Sequence, residues 1–151
     1  MISMVQRAIP LYAIALLAVL ATGLALVGCS RGTLEAPENP KDTRIFKDVT
    51  PGEAFGLISQ NDGSLIVLDV RTAAEFAEGH LEGAIDIDYY QATFRSDLDK
   101  LDKGRAYLVY CRTSHRSTSA MSVMKDLGFQ EVYNMLGGIE RWNQEGRPVV
   151  R

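Results

Sequence analysis

From Ile45 onward, short apolar runs alternate with amphipathic stretches along the chain. The runs Leu65–Leu68 and Ala106–Tyr110 are continuous, which is typical of parallel strands buried on both faces. Thr50-Pro51-Gly52-Glu53 and Thr72-Ala73-Ala74-Glu75 each have the spacing of a capping box, so each predicts the start of a helix. Strands that alternate with helices predict an α/β fold built on a parallel sheet.

The segments that follow carry weaker signals. They predict a strand over Ala84–Ile87, a helix over Tyr89–Leu101, a helix over Ser117–Leu127, a strand over Glu131–Tyr133 and a helix over Gly138–Gln144. In the last helix, Ile139 and Trp142 are expected to face the core. Residues 45–151 are therefore predicted to form one domain.

The first 28 residues have the pattern of a secretory signal. Arg7 is the one charged residue before an apolar run that extends from Leu11 to Val27. A positive start, an apolar stretch and small residues at its end are the features of such a signal. The run is also as long as a short membrane span, so an uncleaved membrane anchor is an alternative.

The residues at the end of this run suggest a lipid anchor. Leu26-Val27-Gly28-Cys29 resembles the bacterial lipobox, in which the signal is removed before the cysteine and that cysteine is acylated. The resemblance implies a signal peptide over residues 1–28 and a membrane-anchored lipid, such as palmitate, on Cys29. Residues 29–44 are polar after the cysteine and predict a tether. The remaining alternative is a plain cleaved signal, with Cys29 an ordinary thiol.

The lipobox also predicts a location. The expected place is the bacterial cell envelope, with the domain in the periplasm or otherwise outside the cytoplasmic membrane. Ser30 follows the cysteine. In some Gram-negative bacteria an aspartate at this position favours retention at the inner membrane. A serine here therefore points to the outer membrane if the source is Gram-negative.

Composition excludes several classes of function. The formal net charge is −3 and no basic stripe with interleaved aromatic residues is present, so nucleic-acid binding is not expected. With Cys29 lipidated, Cys111 is the single remaining thiol, which excludes an intrachain disulfide framework. His80 and His115 are too few and too scattered to form a zinc site with Cys111. No metal or cofactor is expected.

The residues that can carry chemistry lie in one stretch, Cys111-Arg112-Thr113-Ser114-His115-Arg116-Ser117. It follows a predicted buried strand and precedes a predicted helix, and ligands of open parallel sheets bind beyond the carboxyl ends of the strands. Backbone amides, a helix dipole and two arginine charges there favour a thiolate, the nucleophilic form of cysteine. The same surroundings suit an oxyanion such as thiosulfate. The alternative is a buried, inert structural cysteine.

This stretch resembles the active loop of the single-domain rhodaneses, written C-x-x-G-x-R-S, because Cys111, Arg116 and Ser117 stand in the matching places. Two further blocks match in order. The first runs from Asp69-Val70-Arg71 to Gly83-Ala84-Ile85, and the second contains Leu136-Gly137-Gly138, Trp142, Gly146 and Pro148. The resemblance implies an α/β, rhodanese-like fold in which a five-stranded parallel sheet is flanked by helices on both faces.

The resemblance also implies an activity. It predicts a sulfurtransferase that moves sulfane sulfur from thiosulfate or a similar donor to cyanide or a thiol acceptor through a Cys111 persulfide. Arg116 would stabilise the anion. The expected substrate-binding residues are Arg112, Thr113, Ser114, His115 and Ser117, with Arg71 a further candidate. The protein is expected to be a monomer.

The chain departs from the family pattern at the loop and after the third predicted strand. Ser114 occupies the usual glycine position, and if φ is positive there, serine costs about 1 kcal/mol and alters the loop. Asp86 and Asp88 replace the more usual asparagine and proline.

Three supporting residues have a structural explanation beside the functional one. Asp69, Arg71 and Glu75 could line the mouth of the site, but they also fit internal ion pairs and capping. His80 is expected to fix the end of its helix.

Three other functions stay open. One is a persulfide carrier, which uses the same chemistry to pass sulfur to a protein acceptor of a sulfur-oxidising or cyanide-detoxifying system, and which the sequence does not separate from a stand-alone enzyme. A non-catalytic rhodanese-like module that binds a partner or senses redox state is compatible with the Ser114 substitution. A phosphatase or arsenate reductase is the enzymatic rival, but its loop is C-x5-R, whereas Cys111 and Arg116 are spaced C-x4-R. The shorter loop favours sulfur over phosphorus chemistry.

Overall fold

A computed structural model describes residues 43–151. They contain a sheet of five parallel strands in the order β1-β5-β4-β2-β3. The strands are β1 (Ile45–Val49), β2 (Leu65–Asp69), β3 (Ile85–Asp86), β4 (Ala106–Tyr110) and β5 (Glu131–Met135). The predicted five-stranded parallel sheet is confirmed.

Five helices connect the strands. They are α1 (Pro51–Ser59), α2 (Ala73–Glu78), α3 (Phe94–Asp99), α4 (His115–Asp126) and α5 (Gly138–Gln144). Both predicted capping boxes are present: the Thr50 and Thr72 hydroxyls accept from the amides of Glu53 and Glu75, whose carboxylates accept from the threonine amides in return. These local signals fix where α1 and α2 begin.

The core lies in two layers because the side chains of β4 alternate between the faces of the sheet. Tyr107 and Val109 pack on one face with α3 and α4, while Leu108 and Tyr110 pack on the other with α1 and α5. Trp142, predicted to be in the core, is 2% exposed. Helices on both faces explain why β4 is apolar at every position.

The helix predicted over Tyr89–Leu101 is wrong at its beginning. Only Phe94–Asp99 is helical, because the Asp88 carboxylate accepts a hydrogen bond from the Tyr90 amide at 2.9 Å. An aspartate that bonds to the backbone two residues ahead forms a turn and competes with the helix. This turn carries Tyr89 and Tyr90 to the carboxyl end of the sheet.

Other boundaries differ less from the prediction. β1 was not predicted as a separate strand. Val49 is its one buried residue, so the segment lacks the continuous apolar run that marks a strand buried on both faces. Helix α4 begins two residues earlier than expected, at His115. The first strand predicted after α2 is reduced to two residues, Ile85 and Asp86.

The predicted signal peptide and Cys29 lie outside the described residues, as does the predicted tether up to residue 42. Its last residue, Arg44, donates from Nη1 to the carbonyl of Lys125 at 3.0 Å. Within residues 43–151, no helix is both long and apolar enough to cross a membrane.

Candidate active site

Cys111 lies directly after β4, a strand in the interior of the sheet with β2 and β5 on either side. Cys111 is 1% exposed and packs in the core cluster between α4 and the neighbouring strand ends, which includes Val70 and Val109. The loop from Arg112 to Ser114 then leads into α4. The sulfur is therefore held by the core on one side and by the loop on the other.

Ser114 adopts a left-handed backbone conformation, as expected for a residue that stands where the family loop has glycine. Its φ is 80°, and among the described residues it is the one non-glycine residue with positive φ. Its carbonyl accepts three hydrogen bonds, from the Thr118 amide at 2.9 Å, the Thr118 hydroxyl at 2.8 Å and the Ser117 hydroxyl at 3.1 Å. These bonds hold a conformation that costs a serine about 1 kcal/mol.

Ser117 shapes the loop. It is fully buried, its hydroxyl donates to the carbonyl of Ser114, and it does not line the cavity described below. The structure therefore does not bring Ser117 together with the other predicted substrate-binding residues. Its position one turn into α4 points the hydroxyl back to the start of the helix.

The loop presents a row of unpaired backbone amides. Within the described part of the chain, no group accepts a hydrogen bond from the amides of residues 112–117. Three of these amides belong to the first turn of α4, where a helix leaves its N–H groups free. The others belong to the loop. Successive free amides of this kind form a concave site that favours an anion.

A cavity of about 610 Å³ opens at this loop. Its lining residues are Glu75, Tyr89, Tyr90, Arg112, Thr113, His115, Arg116 and Ser119. Four of the predicted site residues are brought together here, namely Arg112, Thr113, His115 and Arg116. A second cavity of about 490 Å³ lies beneath α1 at the amino ends of β2, β4 and β5, and it is lined by no cysteine or histidine.

Arg116 is bound by a carboxylate from another helix. Its Nη1 and Nη2 donate to the two carboxylate oxygens of Glu75 at 2.8 and 2.7 Å. Tyr90 covers the guanidinium at 5.5 Å from its ring centre. The Arg116 hydrogen bond lowers the pKa of Glu75 to about 2. The hydrogen bond to Glu75, and to a smaller extent the charge of Cys111, raise the pKa of Arg116.

This pairing adds a partner that the sequence did not predict for Arg116, whose role toward an anion stays a prediction. Each terminal nitrogen directs one N–H to Glu75, and the guanidinium keeps further N–H groups that could meet an anion. The charge still lies close enough to Cys111 to attract a negative sulfur. Sequence reasoning identified Glu75 as a capping residue and missed this second role.

The second loop arginine is also paired, but at the surface. The Arg112 side chain is 66% exposed, and its Nε donates to Glu140 of α5 at 2.5 Å. His115 is exposed at the first position of α4. Each loop arginine therefore has a carboxylate partner, whereas the loop amides have no hydrogen-bond acceptor among the described residues.

Arg71 is not part of this site. It is 5% exposed and donates to both oxygens of Asp69 and, at 2.7 Å, to the carbonyl of Gly79. The guanidinium joins β2 to the end of α2, and Arg71 does not line the cavity at the Cys111 loop. The structural explanation of the buried Asp69–Arg71 pair is confirmed.

Asp86 is a buried carboxyl group close to this ion pair. Burial, followed by the charge of Asp69, raises the pKa of Asp86 to about 6. Its Oδ1 is buried without a hydrogen-bond partner.

His80 lies at the end of α2. It donates from Nδ1 to the carbonyl of Phe76 at 3.1 Å and stacks on the Phe76 ring. It fixes the end of α2, as predicted.

Comparison with known proteins places this geometry in context. Residues 56–145 match the family model described as Rhodanese-like domain. Thiosulfate sulfurtransferase GlpE of Coxiella burnetii is 31% identical over 98 residues, which are 65% of this chain and 88% of that protein. A protein named Sulfurtransferase from Allochromatium vinosum is 31% identical over 86 residues, 57% of this chain and 78% of that protein.

The solved structures agree with this fold. The crystal structure of a rhodanese-related protein from Thermoplasma volcanium matches with a TM-score of 0.61 and 28% identity. The match covers 70% of this chain and 98% of that one.

Proposed function

Because this chain belongs to the rhodanese-like family, we propose that it is a sulfurtransferase whose acceptor of sulfane sulfur is Cys111. The donor is thiosulfate or a similar small anion, and the final acceptor is cyanide or a thiol. The observation that carries the proposal is the row of unpaired amides over residues 112–117, directly after a cysteine that lies at the carboxyl end of β4.

The reaction consists of two displacements. In the first, the Cys111 thiolate attacks the outer sulfur of thiosulfate. A sulfur–sulfur bond forms to Cys111, the sulfur–sulfur bond of thiosulfate breaks, and its electron pair leaves with sulfite. In the second, cyanide or a thiolate attacks the outer sulfur of the persulfide. The Cys111 thiolate leaves, and thiocyanate or a new persulfide is released. Covalent catalysis of this kind has ping-pong kinetics.

The loop supplies the electrostatic part of the catalysis. Both the thiolate and the persulfide carry negative charge at one place, and fixed amides directed at that place stabilise the charge without reorganising. Arg116 adds a full charge nearby while Glu75 fixes its position. The exposed Arg112 and His115 stand at the mouth, where they attract and orient an incoming anion.

The enclosure of Cys111 fits a small donor. The cysteine is 1% exposed, so the added outer sulfur would extend from it toward the amides. In thiosulfate the attacked atom is the terminal sulfur, whereas in a phosphoryl group it is the central phosphorus, which is surrounded by oxygens that the loop would also have to accommodate. The C-x4-R spacing and the enclosure of Cys111 therefore support sulfur chemistry over the phosphatase alternative.

We also propose that the protein acts at the bacterial cell envelope, held to the membrane by a lipid on Cys29. The support is the apolar run up to Val27 and the lipobox-like Leu26-Val27-Gly28-Cys29. A tether of polar residues would keep the domain clear of the bilayer. The physiological donor and acceptor would then be envelope molecules.

Steady-state kinetics with thiosulfate and cyanide test the proposed activity. The full chain, purified in detergent, should give parallel double-reciprocal lines and release one sulfite per thiocyanate. Ser122→Ala serves as the control, because Ser122 is exposed on α4 and does not line the cavity. If the wild-type chain transferred sulfur no faster than a Cys111→Ala variant, this result would contradict the proposal and favour a non-catalytic binding module.

A further inference from the structure

The loop that begins at Cys111 is held from behind by the start of α5. The Ile139 amide donates to the carbonyl of Cys111 at 2.9 Å, and the Glu140 amide donates to the carbonyl of Arg112 at 3.1 Å. These amides are among those that a helix leaves unpaired in its first turn. Two peptide units of the loop are thus fixed by an element that is not part of the cavity lining.

Gly138 permits this close approach. Its φ is 57°, and a β-carbon placed on it would overlap the backbone carbonyl oxygens of Cys111 and Arg112. Backbone atoms cannot rotate away as a side chain can. The preceding Gly137 has no room for a β-carbon either, but there the added atom would lie 2.6 Å from the Cβ of Arg141, which belongs to α5 itself and not to the loop. Gly138 therefore sets the separation between α5 and the loop.

The orientation of the loop amides follows from this anchoring. In a trans peptide the carbonyl oxygen and the amide hydrogen point in opposite directions, and the described residues contain no cis peptide. The Cys111 carbonyl shares its peptide unit with the Arg112 amide, and the Arg112 carbonyl shares its unit with the Thr113 amide. Since α5 holds both carbonyls, both amides are turned away from α5. Arg112 and Thr113 line the cavity.

We infer that Gly138 is a positioning residue for sulfur transfer: through the first turn of α5 it directs the amides of Arg112 and Thr113 toward the negative sulfur on Cys111. This role rests on the proposed function and adds a determinant outside the active loop. The helix acts on the reaction through the loop and does not touch the substrate.

Replacement of Gly138 tests the inference against a matched glycine. Gly146 lies beyond the other end of α5, has φ of 68°, and has open space around an added β-carbon. Gly138→Ala and Gly146→Ala therefore share the strain of positive φ, and only the first pushes on the loop. The variants are compared as full chains by thermal unfolding and by the first-order rate of Cys111 persulfide formation at saturating thiosulfate.

Gly138→Ala should slow persulfide formation on the order of 10²-fold, the loss typical when preorganised donors move from an anion. KM for thiosulfate should change much less than kcat, because the amides act mainly on the developing charge. Gly146→Ala should keep the wild-type rate even if it unfolds at a lower temperature. Equal rates in the two variants would overturn the inference.

A second pair of variants applies if Gly138→Ala does not fold. Glu140→Ala and Glu140→Pro both lose the ion pair with Arg112, but only proline removes the amide that donates to the Arg112 carbonyl. Proline is tolerated in the first turn of a helix. Glu140→Pro should form the persulfide more slowly than Glu140→Ala, and equal rates would overturn the inference.

Failure of the proposed function gives a different result. A wild-type chain that takes up no sulfur would contradict sulfur transfer while leaving the positioning of the thiolate open to measurement. In that case the rate of alkylation by iodoacetamide at Cys111 is followed by mass spectrometry of its peptide. Slower alkylation in Gly138→Ala than in Gly146→Ala would support the positioning role, and equal rates would overturn it.

Discussion

Glu75 and Arg116 are joined by two hydrogen bonds of 2.7 and 2.8 Å, although they are 41 residues apart in the chain. The pair links the start of α2 to the first turn of α4, because Glu75 also closes the capping box with Thr72. Its side chains are 14% exposed for Arg116 and 28% for Glu75, so solvent screens them only in part. Because Arg116 belongs to the stretch that begins at Cys111, a change at Glu75 should affect that stretch as well as the stability of the fold.

Glu75→Gln should destabilise the fold by about 2 kcal/mol, the scale of a hydrogen bond to a charged group. It should also slow persulfide formation, because Arg116 is released from its place. Glu78→Gln on the same helix is the control, since no hydrogen bond or ion pair of its side chain is found among the described residues. Denaturant unfolding of the two variants measures the difference. Equal stability would show that the pair contributes nothing net.

Loss of the same pair should appear at low pH. Arg116 lowers the pKa of Glu75 from 4.5 to about 2, so the folded state binds a proton less readily than the unfolded state. The stability that the pair contributes is present above about pH 4.5 and is lost as the pH falls toward 2. The difference in unfolding free energy between wild type and Glu75→Gln should shrink across this window. A constant difference from pH 6 to pH 2.5 would contradict the assignment.

Ser114→Gly should stabilise the protein by about 1 kcal/mol, because glycine adopts φ of 80° without the clash of a β-carbon. Ser114→Ala is the matched control: it removes the hydroxyl and keeps the β-carbon, so it should give no such gain. We expect Ser114→Gly to form the persulfide at least as fast as wild type. A gain shared by both variants would assign the effect to the hydroxyl and not to the backbone.

Asp86 should make stability depend on pH in the opposite direction. Burial raises its pKa from 3.8 to about 6, so the folded state takes up the proton first. Stability should rise as the pH falls through 6 toward 4. Asp86→Asn should remove this dependence and stabilise the fold at pH 7 by about 1 kcal/mol after allowance for solvent screening. Asp99→Asn, at an exposed site on α3, should leave the dependence as it is in wild type.

The parts of the fold that were predictable depend on neighbours in sequence. The capping boxes at Thr50 and Thr72 and the apolar run of β4 are local patterns, and each specifies one element. The positive φ of Ser114 was predictable because the loop motif has glycine there. The prediction of a helix over Tyr89–Leu101 failed at its start, where the Asp88 carboxylate accepts a hydrogen bond from the Tyr90 amide and forms a turn.

The parts of the site that were not predictable depend on distant residues. The Glu75–Arg116 pair and the contact of α5 with the Cys111 loop both join segments that approach only after the sheet has formed. Ser117 shows the same limit, because its motif position suggested substrate contact while its burial directs the hydroxyl to Ser114. Sequence could indicate Cys111 as the candidate nucleophile and the loop that follows it, but it could not show what holds the loop in place.

Cys29→Ser tests the predicted anchor. The wild-type chain expressed in a bacterium should incorporate labelled palmitate and enter the detergent phase, because acyl chains supply the membrane affinity. Cys29→Ser should lose the label and accumulate as an unprocessed precursor, while Cys111→Ser should keep the label. Processing of Cys29→Ser to a soluble form would favour a plain cleaved signal instead.

Intact mass measures directly whether Cys111 carries the transferred sulfur. The full chain is treated with thiosulfate, freed of excess reagent, and analysed by mass spectrometry with fragmentation across the Cys111 loop. We expect one added sulfur atom on Cys111, which is removed by cyanide as thiocyanate, and no addition to the Cys111→Ser variant. A wild-type chain of unchanged mass after treatment with thiosulfate, or sulfur bound equally by Cys111→Ser, would contradict sulfur transfer through Cys111.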